Sequence, residues 1–167
     1  MPELQRLRPE HAPALLDFER ENRAYFAQWV PDRGDAYFTE FADLHQARLA
    51  EQAAGACHFH VVVDEDGSVL GRINLVDVED GTAHLGYRIA ERAAGRGLAT
   101  TAVHRILRLA ADSYGLHLLF AETTRVNAGS RAVLTRTGFR CVGETTLSVG
   151  ESPFSEEPAL RFSRSLT

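Results

Sequence analysis

Cysteine is nearly absent from this chain of 167 residues. Cys57 and Cys141 are the only two, and they stand far apart in apolar surroundings, so they read as reduced core thiols and supply neither a disulfide framework nor a metal cluster. An excess of basic charge is missing too. The 18 Lys and Arg residues stand against 23 Asp and Glu, a net charge of −5 at pH 7. That balance argues against a nucleic-acid partner and is compatible with cationic substrates such as amines. No apolar run approaches the length of a membrane helix, and the start, Met1-Pro2-Glu3-Leu4, is neither basic nor followed by an apolar run. The expectation is a cytoplasmic protein with no membrane partner. Neither a G-x-x-x-x-G-K-S/T loop nor a G-x-G-x-x-G turn opening a first βα unit is present, which sets aside two common phosphate sites. Metal is not expected. His58 and His60 alternate on one strand face without a third ligand, and Asp64-Glu65-Asp66-Gly67 lacks the ligand series of a calcium loop.

Linkers, repeats and low-complexity tracts are also missing, so residues 1–167 are read as a single domain, long enough to bury about 70% of its unfolded surface. Along it, helical and strand patterns alternate. Leu4–Leu7 reads as a strand and His11–Asn22 as a helix, followed by a loop over Pro31–Asp35. A helix is predicted over Asp35–Ala54, closed by Gly55, with Phe38, Phe41, Leu44, Leu49 and Ala53 inward. Cys57–Val63 and Ser68–Val78 form a hairpin around Asp66-Gly67, and Asp80-Gly81 turns into Thr82–Ile89. A long helix follows with Ala99, Ala102, Val103, Ile106, Leu107 and Ala110 on one stripe, stopped by Gly115. Leu118–Thr124, a short helix Gly129–Thr137, and strands Phe139–Val149 and Ala159–Ser165 complete the chain. The helix between Thr82–Ile89 and Leu118–Thr124 is the crossover that parallel neighbours require. The fold class is therefore mixed α/β around one sheet.

Between that strand and that helix stands Arg92-Ala93-Ala94-Gly95-Arg96-Gly97-Leu98-Ala99. Gly95 and Gly97 lack the Cβ atoms that would keep a ligand from the backbone, and the helix start offers unpaired N–H groups with partial positive charge. A pyrophosphate fits such a nest, with Arg92 and Arg96 either adding contacts to its oxygens or standing as solvated surface arginines.

This R-x-x-G-x-G loop resembles the acetyl-coenzyme A loop of the GNAT superfamily of N-acetyltransferases. Three further stretches are similar to its RimJ/RimL branch, named for ribosomal-protein N-terminal acetyltransferases. They are Glu21-Asn22-Arg23-Ala24-Tyr25-Phe26 leading to Trp29-Val30-Pro31; His84-Leu85-Gly86-Tyr87-Arg88-Ile89; and Asn127-Ala128-Gly129-Ser130 with Val133-Leu134 and Gly138-Phe139. The resemblance runs through nearly the whole chain in family order. It implies a mostly antiparallel sheet with one splayed parallel pair. Acetyl-CoA would be the cosubstrate, its pantetheine arm along Tyr87, Arg88 and Ile89 and its pyrophosphate over Arg92, Gly95, Arg96, Gly97 and Leu98. Asn127 and Ser130 would complete the cofactor contacts. An unpaired N–H on the first splayed strand, such as that of Ile89, would hold the thioester oxygen.

The implied chemistry is direct attack of a primary amine on the thioester. Glu122 matches a place where some relatives carry the base, and it reads equally as a strand glutamate in an ion pair. His84 stands where relatives carry a glutamate, and it reads as a base or as a structural histidine. Ser130 would protonate the leaving thiolate, because Leu134 occupies the region where many GNAT enzymes have a tyrosine acid; Asn127 and Ser130 also fit a helix cap. Asn22, Tyr25 and Trp29, with Asp32 and Asp35, are candidates for the amine pocket, and Glu151–Pro158 for a substrate lid or a solvated loop. The substrate expected is a protein or peptide N-terminus or a small amine. The alternative is a non-catalytic acyl-CoA-binding sensor. The resemblance also allows a homodimer.

Overall fold

The computed structural model describes residues 1–151 and 155–167. Seven strands form one sheet in the order β1-β2-β3-β4-β5-β7-β6. They are β1 Glu3–Arg6, β2 His58–Val63, β3 Val69–Glu79, β4 Thr82–Ile89, β5 Leu118–Thr124, β6 Arg140–Ser148 and β7 Glu156–Ser165. Every neighbouring pair is antiparallel except β4 and β5. The helices are α1 Ala12–Glu21, α2 Arg23–Ala27, α3 Asp35–Thr39, α4 Phe41–Ala53, α5 Leu98–Asp112 and α6 Ala128–Arg136. This is the expected mixed α/β fold with one parallel pair.

Strand alternation sends side chains to two cores, one on each face. Ile73 and Leu75 of β3, Ala83 and Leu85 of β4 and Leu119 of β5 meet Val103, Ile106 and Ala110 of α5 and Leu134 of α6. On the other face Phe59 and Val61 of β2 pack under Leu15, Phe18, Phe26 and Phe41 from α1, α2 and α4. The helix predicted over Asp35–Ala54 is interrupted. Glu40 takes φ −103° and ψ 18° between α3 and α4. Just before it, the Thr39 hydroxyl donates to the carbonyl of Asp35 at 3.2 Å, a side-chain bond that competes with the helical ladder. Of the residues expected inward, Phe41 is buried, Phe38, Leu44 and Leu49 are half-buried, and Ala53 is exposed. The chain also carries α2, absent from the sequence reading, separated from α1 by Asn22 at φ −105° and ψ 9°. Cys57 is half-buried and Cys141 exposed, because Cys141 lies at the start of β6, the sheet's edge strand. His58 and His60 close on Tyr114 just past α5, one stacked on its ring and the other bonded to its hydroxyl.

Candidate active site

Strands β4 and β5 pair only at Thr82 with Leu118, Ala83 with Leu119 and His84 with Phe120. Both strands continue, to Ile89 and Thr124, with no further pairing between them, so a wedge opens from Leu85 and Ala121 onward. Ala90 donates its N–H to Leu70 on the β3 side at 2.8 Å. By the alternation of a strand, Tyr87 and Ile89 then turn their N–H and C=O groups into the wedge. The Ile89 N–H thus has the direction that the pantetheine and oxyanion expectation requires.

At the far end of β4 the chain makes a 3-10 turn over Glu91–Ala93 and reaches the loop before α5. Gly95 and Gly97 have φ of +76° and +77°, a region that L side chains enter at a cost, and a Cβ at either would meet nothing within 4 Å. Gly97 caps α5 without a side-chain bond, and no acidic residue stands in the first turn. The first intrahelical bond is donated by Thr101 to Gly97, so the N–H groups of Leu98, Ala99 and Thr100 have no helical acceptor. Arg92 reaches the Ser68 hydroxyl at 2.9 Å, and Arg96 folds back on the Arg92 carbonyl; both remain exposed. A left-handed glycine pair, open space and free donors at a positive helix end suit the diphosphate of a coenzyme A.

Across the wedge, Asn127 caps α6, its Oδ1 accepting the N–H of Ser130 at 3.2 Å. The Tyr87 hydroxyl donates to Ser130 Oγ at 3.1 Å. Sequence reasoning carried Tyr87 only as a backbone position; the 43 residues between the partners hid the contact. Burial raises the Tyr87 phenol above its ordinary range, outweighing the Ser130 bond, so it stays protonated. Leu134 is fully buried in the core.

An acetyltransferase (GNAT) domain model matches residues 3–140. The chain belongs to the GNAT acetyltransferase family. It is 29% identical over 136 residues to Probable N-acetyltransferase YjcK of Bacillus subtilis, a match covering 77% of this chain and 74% of the relative. It is 27% identical over 137 residues to the ribosomal protein uS5-alanine N-acetyltransferase of Escherichia coli, covering 77% and 70%. Mycobacterium smegmatis RimJ, solved in complex with CoA-disulfide, superposes with a TM-score of 0.85 at 25% identity, covering 97% of this chain and 80% of that one. This GNAT chain is therefore an N-acetyltransferase similar to the RimJ/RimL enzymes, and acetyl-CoA is its cosubstrate.

The opposite face of the sheet carries the other candidates of the GNAT site. His84 is exposed, its ring 5.4 Å from that of Phe120. Glu122, two residues along β5 on the same face, is opposite Arg161 of β7 and accepts its Nε at 3.3 Å. The amine-pocket candidates are more engaged than the sequence suggested. Asn22 is buried; its Nδ2 donates to the Phe18 carbonyl at 2.9 Å and its Oδ1 accepts the Glu91 N–H at 3.0 Å, tying the end of α1 to the chain after β4. Tyr25 is half-buried beside Phe26, and Trp29 is half-buried. Arg23 holds Asp32 in a two-pronged pair at 2.9 and 2.8 Å and also reaches Asp35 at 2.9 Å. The Asp32 carboxyl lies below its ordinary range, the Arg23 hydrogen bonds outweighing burial. The loop after α2 meets the loop after β6: Asp32 donates its N–H to the Gly150 carbonyl at 2.7 Å, and Gly150 to the Val30 carbonyl at 3.0 Å. Of the lid candidate Glu151–Pro158, residues 152–154 lie outside the described residues.

One cluster had no sequence signal. Glu19 of α1 is 1% exposed and receives Arg33 at 3.1 and 3.2 Å, Arg72 at 3.2 Å and Arg88 at 3.5 Å. Burial works to raise its carboxyl, but the three guanidinium groups outweigh it and hold Glu19 below the usual carboxylate range. Burial, followed by the charge of Arg33, pushes Arg88 down to about 10.

Proposed function

We propose that the chain acetylates a primary amine, a peptide or protein α-amine or a small amine, by direct attack in a ternary complex. The observation that carries this reading is the parting of β4 and β5 above the Gly95–Gly97 cradle, which leaves backbone donors facing one channel. The N-terminal-amine class is supported by the Escherichia coli relative, whose name gives an alanine of ribosomal protein uS5 as its target.

Acetyl-CoA supplies the acetyl thioester. The first-turn N–H groups after Gly97, with Arg92 and Arg96, would hold its diphosphate, and Tyr87, Arg88, Ile89 and Asn127 its arm. The Ile89 N–H is turned toward the negative charge that gathers on the thioester oxygen. Ser130 accepts from Tyr87, so its own hydrogen is free to point at the sulfur. His84 and Glu122 share the open face beside the wedge. Of the two, Glu122 is committed to Arg161 while His84 is open to solvent and presents an imidazole that can accept a proton. His84 is therefore the proposed base, taking a proton from the attacking amine through a chain of waters, because five strand residues, roughly 16 Å, separate it from Ile89. Tyr25 and Trp29 would flank the amine.

The test is thiol release from acetyl-CoA against peptides, polyamines, amino acids and aminoglycosides, with acetyl-CoA titrated by calorimetry. Release with one amine class names the substrate. Binding without release across the panel would leave an acyl-CoA-binding protein without turnover. None of the chain's 18 basic residues is lysine, so acetyl-lysine found in the reaction belongs to the substrate.

A further inference from the structure

A cavity of about 1150 Å3 lies between the α3–α4 pair and the face of β2 and β3. Arg33, Tyr37, Arg72 and Asn74 line one part of it. Two buried polar atoms there have no partner among the described residues, Nε of Arg72 and Oδ1 of Asn74. Arg72 is only 6% exposed. A buried guanidinium N–H without an acceptor is costly, and the local charge adds to that cost. Among the described residues, Glu19 is the one carboxylate bound by Arg33, Arg72 and Arg88, which leaves two positive charges in excess. The Tyr37 hydroxyl accepts from Arg72 at 3.0 Å, so its own hydrogen is free to donate. At the Glu19 end of a cavity that Glu40, Glu51, Asp77 and Glu79 also line, a guanidinium N–H, a phenol O–H and a local surplus of positive charge form a donor set for a carboxylate, and the Asn74 oxygen is placed to accept a peptide N–H.

This cavity has a way to the wedge. Asn74 is paired with Gly86 of β4, and a Cβ at Gly86 would meet nothing within 4 Å. The sheet face is therefore bare at Gly86, between Asn74 and β5, with Arg88 opposite Arg72 and His84 opposite Val76 on either side. From Arg72 across β4 is two strand spacings, roughly 10 Å, about the reach of three extended residues.

We propose that this cavity is an anion subsite for the acceptor: the preferred substrate is a peptide amine with a carboxylate about three residues from its N-terminus, held by Arg72 and Tyr37. The proposal rests on the acetyl transfer put forward above.

Peptides that share an N-terminal alanine and carry Glu or Gln at position three, or Glu at position six, test it, with a tripeptide as free acid and as amide to separate a side-chain from a terminal carboxylate. The Glu-3 peptide is expected to exceed its Gln counterpart about tenfold in kcat/KM, chiefly through KM. In Arg72→Met and, independently, in Tyr37→Phe, that ratio should fall toward one while calorimetry shows acetyl-CoA still bound. Equal KM for the Glu-3 and Gln-3 peptides, both turned over, would overturn the subsite and leave acetyl transfer standing. Turnover of small amines with none of the peptides would likewise overturn the subsite alone, whereas no turnover on any amine would overturn both.

Discussion

Gly97 combines a φ of +77° with open space in front of its Cα, so two substitutions there separate conformation from occupancy. Alanine adds only the left-handed penalty, about 1 kcal/mol, and should leave coenzyme A binding largely intact. Tryptophan fills the space a diphosphate would use, and Gly97→Trp is expected to weaken CoA binding by about 100-fold or more in calorimetry. Equal affinity of the tryptophan variant and wild type would remove the cradle assignment. Ser130 calls for a kinetic test. If its hydrogen is aimed by Tyr87, Ser130→Ala should slow kcat by about 10- to 100-fold with CoA affinity retained, and Tyr87→Phe should slow it less. In the double variant the Tyr87 change should add nothing, because the bond it makes has already gone. Fully additive losses would show that the two hydroxyls act separately.

The end of α5 is fastened to β2 by a cluster that makes stability depend on pH. His58 stacks on Tyr114 with ring centroids 3.7 Å apart, and His60 Nε2 lies 2.6 Å from the Tyr114 hydroxyl, which also accepts from Arg6 at 2.9 Å. Burial, reinforced by the charge of Arg6, pushes His60 down to about 4. The unfolded chain takes up that proton near pH 6.5 and the folded chain only near 4, so stability is complete above 6.5 and declines as pH falls toward 4. Denaturation in urea should lose about 2 kcal/mol between pH 7 and pH 5, and His60→Gln should make that slope shallower. An unchanged slope would mean that another group carries it. Elements such as α5 were legible because a local rule generates them. Its 3.6-residue stripe predicted Ala99, Ala102, Val103, Ile106, Leu107 and Ala110 inward; the last five are buried and Ala99 is half-buried. The cradle was legible for the same reason, glycines being the residues that take a positive φ at a helix start. The Glu19 cluster was not, since Arg33, Arg72 and Arg88 lie 14, 53 and 69 residues from Glu19 and meet it only through the β3–β4 register and the seat of α1. Asn22 and Asp32 stood out in the sequence only as candidates for the amine pocket, and their partners Glu91 and Arg23 became apparent only once α1 and α2 were in place.

At the scale of the whole molecule, the sheet is two sheets barely joined. Strands β1–β4 form one half and β5–β7 the other, and across the seam only three residue pairs connect them, with α5 crossing above. A ligand lodged in the wedge touches both halves, replacing with its own bonds the ladder that β4 and β5 do not make. Coenzyme A should therefore stabilise the fold as a whole as well as its own loop. At 100 times its dissociation constant a ligand adds about 2.7 kcal/mol, which for a chain of this size raises the melting temperature by roughly 5–10 °C. Hydrogen exchange locates the effect. Amides of Tyr87 and Ile89, turned into the wedge, should slow on binding, while those of Arg72 and Ile73, inside the continuous β3 ladder, should change only as global stability changes. Gly97→Trp should lose both the thermal shift and the new protection together. A full thermal shift with no added protection at Tyr87 and Ile89 would place the ligand somewhere other than the seam.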